Sequence, residues 1–305
     1  MSMNWKGVMP AITTCFDENL QIDHEFTARH VKWLVENGST GIVCNGSLGE
    51  GSTLSLDEKI SLWKTCVEAV GHEVPIVAAI AASSTAEAIE QAKAAEAAGC
   101  RGLMILPPYI YKGDWRELKF HLTEVFGATR LSSMLYNNPI AYGTDFLPEQ
   151  IAELTSEIEN LHAVKESSSD VRRVTAIRAL LGNKLAVLVG VDDAIVEGIA
   201  AGAVGWIAGL VSAFPKESVA LFNYAMNGEN EKAAELYKWF LPLLRLDTVP
   251  KFVQLIKLVQ EEVGMGSARV RPPRLELVGS ELEETKRIIR EALASRPKLA
   301  ETASA

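Results

Sequence analysis

The chain has 305 residues, of which 48% are hydrophobic and 23% are charged, and its formal net charge is −9. This composition is typical of a folded protein with a large core, and the acidic surplus argues against surfaces for nucleic acid or anionic membranes. No run approaches the roughly 18 apolar residues of a membrane span, and the N-terminus has no apolar signal segment. We therefore expect a cytoplasmic protein that binds neither nucleic acid nor membrane.

Short β-rich runs alternate with longer helical patterns over the first 215 residues. Ser55 and Glu58 form a capping-box pattern, and Asp23 and Asp170 are further candidate N-caps. The predicted strands span residues 7–12, 41–44, 75–80, 102–106, 133–136, 161–165, 186–189 and 204–208. The predicted helices span residues 23–36, 55–70, 84–98, 115–126, 148–158 and 192–201, with another after Asp170.

Eight strand–helix units predict a closed parallel (β/α)₈ barrel, an α/β fold of the TIM-barrel type. An open, doubly wound sheet is the alternative, but no GxGxxG follows the first strand, and eight is the number of units that closes a barrel. Four helical patterns without strands come next, at 216–226, 229–244, 249–262 and 281–293. We predict a barrel domain at 1–215 that carries the active site, a C-terminal helical domain at 216–295 and a disordered tail at 296–305.

The cysteines and histidines show no metal-binding spacing. The four cysteines contain no CxxC pair: Cys15, Cys44, Cys66 and Cys100. We interpret them as reduced, mostly buried residues of a cytosolic protein, and we expect neither a metal nor another cofactor. A metal-dependent barrel aldolase would need histidine and carboxylate clusters at strand ends, whereas the five histidines fall mostly on helices or within strands.

Lys165 ends the sixth predicted strand, and polar residues and a new helix come directly after it. In a barrel of this kind the carboxyl ends of the strands form the active site. A lysine at such a position could be a solvated charge, an ion-pair partner, or an amine nucleophile that forms a Schiff base with a carbonyl substrate.

Two further motifs end other strands of the predicted barrel. Tyr136 ends the fifth strand and could be an ordinary half-buried tyrosine, or a proton relay one strand from Lys165. The loop 46–50, Gly-Ser-Leu-Gly-Glu, could be a tight turn, or its glycines could let backbone N–H groups approach a carboxylate beside the Ser47 hydroxyl. Three such features at strands two, five and six together favour Schiff-base chemistry.

The chain resembles the dihydrodipicolinate synthase/N-acetylneuraminate lyase family of class I Schiff-base enzymes over about residues 4–290. Residues 46–50 are similar to the family's GTTGE or GSTGE loop, residues 136–139 (Tyr-Asn-Asn-Pro) to its YNxP motif, and residues 164–166 to its strand-six lysine. The resemblance implies that Lys165 condenses with the 2-oxo carbon of pyruvate or a related acid and that Tyr136 moves protons.

The resemblance also implies a small-molecule site around the lysine and an assembly of subunits. The implied substrate-binding positions are Gly46, Ser47, Leu48, Gly190 and Ile207. Leu48 stands where the family usually has threonine, so a side-chain donor is lost, although a backbone N–H could still serve. The implied assembly is a homotetramer built as a dimer of dimers, with Tyr109 and Tyr111 as candidates to cross the tight interface.

Three departures from the family pattern bear on the substrate. Lysine-precursor synthases carry an arginine at the position of Ala141, to hold the second substrate's carboxylate, and a tyrosine from the partner subunit at the position of Ile110. With Leu48, these losses argue against lysine-precursor synthesis. Residues 205–210, the loop 46–49 and residues 271–274 resemble catabolic members, and among these the chain looks most like deaminases of 1-pyrroline-4-hydroxy-2-carboxylate in hydroxyproline breakdown. In that reaction the lysine would attack C2, water would leave from C4, and hydrolysis would release ammonia and 2-oxoglutarate semialdehyde.

Other functions stay open at this point. Dihydrodipicolinate synthase, another pyruvate-dependent aldolase, and a sugar-acid dehydratase of the same family are the alternatives within Schiff-base chemistry. A binding protein that retains the barrel without activity belongs to a different class, and the intact pair of Lys165 and Tyr136 argues against it.

Overall fold

Eight parallel strands form a barrel in the computed structural model, which describes residues 3–299. The strands are β1 Gly7–Pro10, β2 Ile42–Cys44, β3 Ile76–Ile80, β4 Gly102–Ile105, β5 Ser132–Asn137, β6 Leu161–Glu166, β7 Ala186–Val189 and β8 Gly205–Ala208. Their order is β1-β8-β7-β6-β5-β4-β3-β2, and a parallel bridge between Ala11 and Val43 closes the ring. The prediction of an α/β fold with a (β/α)₈ TIM barrel is confirmed.

Helices surround the barrel and continue after it. Those within the barrel are α1 His24–Glu36, α2 Leu56–Val70, α3 Thr85–Ala97, α4 Trp115–Gly127, α5 Pro139–Tyr142, α6 Pro148–Glu157, α7 Arg172–Leu181 and α8 Ile195–Ala200. Those after the barrel are α9 Pro215–Met226, α10 Asn230–Leu244, α11 Phe252–Glu262 and α12 Gly279–Ala294. Short 3₁₀ turns lie at Gly51–Thr53, Asp192–Ala194, Leu210–Ser212 and Arg245–Asp247.

Local signals begin the helices at several predicted positions. The capping box before α2 is formed, because Ser55 Oγ accepts the Glu58 N–H at 3.2 Å and a Glu58 carboxylate oxygen accepts the Ser55 N–H at 2.9 Å. Asp23 caps α1 by accepting the Phe26 N–H at 2.8 Å. These bonds satisfy N–H groups that have no partner within the helix.

Asp170 lies before α7 as predicted, and its Oδ1 accepts the Arg172 N–H at 3.1 Å while the same carboxylate pairs with the Arg172 guanidinium at 2.7 Å. The helix bounds place Val171 between this acid and the first helical residue. The helix predicted from residue 192 begins as the 3₁₀ turn Asp192–Ala194 and continues as α8.

Alternate residues of each strand fill the inside of the barrel. The inner apolar cluster includes Ala163, Tyr136 and Ile207, whereas Val164 belongs to the outer cluster between strands and helices. Because side chains alternate across a strand, Lys165 faces the same way as Ala163 and points into the barrel. Lys165 is also the register partner of Tyr136 on β5, so these two side chains are neighbours across the two strands.

The outer cluster extends from the barrel to the last four helices, since it contains Trp206 of β8 together with Phe240 of α10 and Ile256 of α11. The division into domains at 1–215 and 216–295 therefore stays a prediction. Of the predicted tail at 296–305, residues 300–305 lie outside the described residues. Within residues 3–299, no helix is both long and apolar enough to cross a membrane.

Candidate active site

Lys165 is buried at the carboxyl end of β6 and lies against Tyr136. Only 7% of Lys165 is exposed, and its Nζ lies 4.2 Å from the centroid of the Tyr136 ring. Burial lowers the pKa of Lys165 to about 8, and the charges of Asp247 and Asp192 partly oppose this shift. A lysine held in this way carries the neutral, nucleophilic amine at much lower pH than a solvated lysine.

The Tyr136 phenol is positioned by its neighbours on the loop after β5. Its oxygen accepts a hydrogen bond from Asn138 Nδ2 at 3.0 Å. Burial raises the pKa of Tyr136 to about 12, so the phenol keeps its proton at neutral pH. The ring also meets the edge of Tyr142, with centroids 5.7 Å apart and an interplanar angle of 79°.

Tyr142 connects the Tyr136 ring to the loop 46–50. Its hydroxyl forms a hydrogen bond with Ser47 Oγ, and the half-buried Ser47 thereby comes to the same mouth of the barrel as Tyr136. Gly46 stands at the foot of this loop, where its carbonyl accepts the Gly51 N–H at 3.1 Å. Tyr142 was not predicted from the sequence, although its position three residues after the Tyr-Asn-Asn-Pro motif was a signal for it.

Gly190 makes room for the lysine. A β-carbon built on Gly190 would lie 2.6 Å from Lys165 Cε and 2.0 Å from Ser167 Oγ, so only glycine fits where the lysine crosses the end of β7. Ile207 is buried on β8 and faces the barrel interior. Gly190 and Ile207 thus both lie near the end of the barrel that holds Lys165. Their contacts with a substrate stay predictions.

Two carboxylates lie near the lysine, the buried Asp192 and the half-buried Asp247, and neither was assigned to the site from the sequence. Asp192 accepts the Leu210 N–H at 2.9 Å, the Gly209 N–H at 3.3 Å and the Trp206 indole N–H at 3.2 Å. All three donors belong to β8 or to the turn directly after it, so the carboxylate of Asp192 is held behind β8. Burial raises the pKa of Asp192 to about 6, and that of Asp247 well above its usual range.

Leu48 is almost fully buried and lies beside the second carboxylate. A β-carbon on Gly209 would lie 3.0 Å from Leu48 Cδ2 and 2.3 Å from Asp247 Oδ1. The leucine that replaces the family's threonine is thus an apolar wall of the site next to Asp247. Such a wall offers no donor and strengthens the electrostatic effect of the charges around it.

The last residue of the loop, Glu50, connects the site to the C-terminal helices. Its side chain is 0% exposed, its partner Lys257 on α11 is 1% exposed, and their charged atoms lie 2.5 Å apart. The second Glu50 oxygen accepts the Arg271 N–H at 3.0 Å, and Lys257 Nζ also donates to the Arg269 carbonyl at 2.6 Å. The loop that contains Ser47 is therefore held from outside the barrel by a fully buried ion pair.

The other two departures from the family pattern, at Ala141 and Ile110, are exposed at the rim of the mouth. Ala141 is exposed on α5. Ile110 is 95% exposed and has a positive φ of 69°, an unusual conformation for a β-branched residue. Tyr111 is 55% exposed, and its hydroxyl donates to a Glu117 carboxylate oxygen at 2.9 Å, whereas Tyr109 turns inward toward Tyr142 at 6.0 Å between ring centroids.

A barrel that holds a buried lysine of lowered pKa against a protonated tyrosine at its carboxyl end has the arrangement of a lysine Schiff-base lyase. Comparison with known proteins agrees with this class. The chain belongs to the dihydrodipicolinate synthetase family, whose model matches residues 4–292. It is therefore an enzyme of the class I, lysine Schiff-base, lyases.

Curated relatives and solved structures match the chain over nearly its whole length. The 4-hydroxy-tetrahydrodipicolinate synthase of Geobacter metallireducens is 33% identical over 94% of this chain and 98% of that protein. A dihydrodipicolinate synthase of Bacillus anthracis superposes with a TM-score of 0.91 at 28% identity, over 97% of this chain and 100% of that one. A prophage protein of the same family from E. coli K12, solved in complex with pyruvate, superposes with a TM-score of 0.88 at 25% identity, over 94% and 98% of the two chains.

Proposed function

We propose that Lys165 forms a Schiff base with the 2-oxo or 2-imino carbon of a small acid, and that the loop 46–50 binds the acid's carboxylate. The observation that carries this proposal is the buried lysine, of pKa about 8, against the Tyr136 ring. The related prophage protein in complex with pyruvate supports a 2-oxo acid as the ligand. Gly46, Ser47 and Leu48 would supply backbone and hydroxyl donors, with Gly190 and Ile207 as the opposite walls.

The proton transfers fall to the tyrosine in this proposal. When the amine of Lys165 adds to the carbonyl, the carbinolamine oxygen must gain a proton before water can leave. The Tyr136 phenol holds a proton at neutral pH, because burial raises its pKa to about 12. The Ser47 hydroxyl is hydrogen-bonded to the Tyr142 hydroxyl, and this pair can carry a proton away from the substrate.

Two reactions are candidates for the chemistry after the imine has formed. The names of relatives such as the Geobacter protein support condensation of pyruvate with an aldehyde acid, as in 4-hydroxy-tetrahydrodipicolinate synthase. Deamination of 1-pyrroline-4-hydroxy-2-carboxylate has no such support and stays a prediction. It is favoured by Ala141, which cannot pair bidentately with a second carboxylate, and by the apolar Leu48.

We expect the deamination to proceed with the higher kcat/KM when both reactions are assayed. Loss of one charge-assisted contact at Ala141 removes about 1.5–3 kcal/mol, or roughly one to two powers of ten in catalytic efficiency with aspartate semialdehyde. Ala141→Arg should raise kcat/KM for the condensation with aspartate semialdehyde by about tenfold. Ile140→Arg, at the neighbouring position that is 72% exposed, should not raise it. A wild-type enzyme that condenses pyruvate with aspartate semialdehyde at the higher kcat/KM would make the deaminase assignment wrong.

We also propose that the chain is a homotetramer and that it works in the cytoplasm, where its four free cysteines stay reduced. The exposed apolar side chains at the mouth support an interface there, since Ile110 is 95% exposed and Tyr111 and Phe120 line one groove. Sedimentation at micromolar concentration should give a tetramer that Ile110→Glu weakens, with Leu275→Glu, also exposed, as the control. A wild-type monomer at that concentration would refute the assembly.

A further inference from the structure

Asp247 reaches the active site from outside the barrel. It ends the 3₁₀ turn Arg245–Asp247, which comes after α10. A β-carbon built on Gly209 would lie 2.3 Å from Asp247 Oδ1, so the carboxylate covers the backbone just past the carboxyl end of β8. The C-terminal segment thus places an acid at the same edge of the barrel as Lys165.

The Asp247 carboxylate has no hydrogen-bond partner within residues 3–299. Its Oδ1 is fully buried and accepts no hydrogen bond from the described residues. Asp192, the neighbouring buried acid, accepts three N–H groups instead. Buried polar atoms are normally paired, so an unpartnered carboxylate oxygen beside a reactive lysine calls for a ligand that donates to it.

Asp247 lies close enough to Lys165 for their charges to interact but does not pair with it. The charge of Asp247 acts on both Lys165 and Tyr136, yet no carboxylate oxygen of the described residues lies within 4.0 Å of Lys165 Nζ. The other acids that face it are Asp192 and Asp193, and Arg245 lies 3.5 Å from Asp193. Within the described residues, Lys165 and Asp247 therefore form no direct ion pair.

We propose that Asp247 binds a hydroxyl group on the carbon chain of the substrate and makes the enzyme selective for hydroxylated 2-oxo or 2-imino acids. This inference rests on the proposed Schiff base at Lys165. That bond fixes C1 and C2 of the substrate and leaves the remaining substrate carbons to extend toward Asp247. The apolar Leu48 lies beside the carboxylate and offers no competing hydrogen-bond donor.

The same contact supplies an acid for loss of that hydroxyl. The Tyr136 phenolate, left after its proton went to the carbinolamine oxygen, takes a proton from C3, and the lysine imine becomes an enamine with a C2–C3 double bond. The nitrogen lone pair then re-forms the C2–N double bond, the C2–C3 π electrons become the C3–C4 double bond, and the C4–O bond breaks as the hydroxyl leaves as water with the proton of Asp247. Burial and the charge of Asp192 raise the pKa of Asp247 well above its usual range, so the carboxyl can hold this proton at the start of the step.

The test is a competition for Lys165 between 4-hydroxy-2-oxopentanoate and 2-oxopentanoate at equal concentrations. Borohydride reduces the imines, and the intact mass gives the ratio of the two adducts, with adducts of products counted toward the hydroxylated acid. Wild type should prefer the hydroxylated acid by about twofold to tenfold, the range of a hydrogen bond between neutral groups, because the carboxyl of Asp247 holds a proton. Because both acids react with the same lysine, any change in the reactivity of Lys165 cancels from this ratio.

Variants of Asp247 separate recognition from proton donation. Asp247→Ala should bring the ratio close to one. Asp247→Asn keeps an acceptor oxygen, so it should retain part of the preference while the formation of dehydrated product falls by about a hundredfold. Asp193→Ala removes a neighbouring negative charge and should leave the ratio as in wild type.

The outcomes distinguish this inference from the proposed function. Wild-type adducts that form equally with both acids, or a preference that survives Asp247→Ala, would overturn the role of Asp247 and leave the Schiff base intact. If neither acid labels Lys165 in wild type, both the proposed function and the inference are wrong.

Discussion

Replacing Lys165 with methionine should abolish covalent trapping of pyruvate by borohydride and lower turnover of any 2-oxo acid by about 10⁴-fold or more. Methionine matches the length of the lysine side chain without its amine, so the barrel interior stays filled. The reduced adduct should map to the peptide that contains Lys165 in wild type. Intact mass before and after digestion measures both results.

The pH dependence of trapping is set by the pKa of this lysine. Its value of about 8 lies well below the usual value near 10.4, because burial disfavours the ammonium. The neutral amine therefore accumulates as the pH rises through 8, from about a tenth of the molecules at pH 7 to about nine tenths at pH 9. At subsaturating pyruvate the trapping rate should rise about ninefold over this interval and then level off.

Lys184 provides the matched control for both measurements. It is an exposed lysine in the turn before β7, so Lys184→Met should leave the adduct and its pH profile unchanged. A trapping rate that keeps rising to pH 10 would mean that burial does not lower the pKa of the nucleophile. Equal labelling of Lys165→Met and wild type would contradict the role of Lys165 itself.

Much of the fold could be predicted because its signals are local. The alternation of short apolar runs with helical patterns gave eight strands, and pairs such as Ser55 and Glu58 marked helix starts that the structure confirms. Lys165 and Tyr136 could be placed at strand ends for the same reason, since each comes directly after a buried run. Asp170 is a further example, because its carboxylate accepts the Arg172 N–H at 3.1 Å in addition to pairing with the Arg172 guanidinium.

The rest of the site depends on contacts that no local pattern records. Asp247 belongs to a turn after α10, and only the packing of that turn on β8 brings it to Gly209. Asp192 was visible in the sequence, but its burial and its three donors come from β8 and the turn after it. Long-range packing of this kind, and not the local sequence, therefore places Asp247 and Asp192 next to the site.

The ion pair between Glu50 and Lys257 is such a long-range contact, and breaking it should both destabilise the protein and loosen the loop 46–50. Lys257→Met leaves the Glu50 carboxylate buried with only the Arg271 N–H at 3.0 Å and the Arg274 guanidinium at 3.9 Å. Removing one partner of a buried pair typically costs about 3–5 kcal/mol, since the remaining charge has lost its compensation. Denaturant unfolding measures this change in the free energy of unfolding.

The same variant should weaken substrate binding more than chemistry. Lys165 and Tyr136 are held by β6 and β5, which do not depend on Glu50, whereas Ser47 belongs to the loop that Glu50 anchors. KM for the 2-oxo acid should therefore rise by about tenfold while kcat falls only a few-fold, because the carboxylate is bound similarly in ground and transition states. Glu50→Gln should act in the same direction, because it leaves Lys257 as the uncompensated charge.

An exposed pair on the same set of helices gives the comparison for stability. Arg287 on α12 lies 2.7 Å from Glu284 and 2.6 Å from Glu291, but its side chain is 52% exposed. Arg287→Met should cost much less than Lys257→Met, because ion pairs in water contribute little to stability. If Lys257→Met costs no more than Arg287→Met, the buried pair does not hold the loop, and another contact must position Ser47 at the mouth of the barrel.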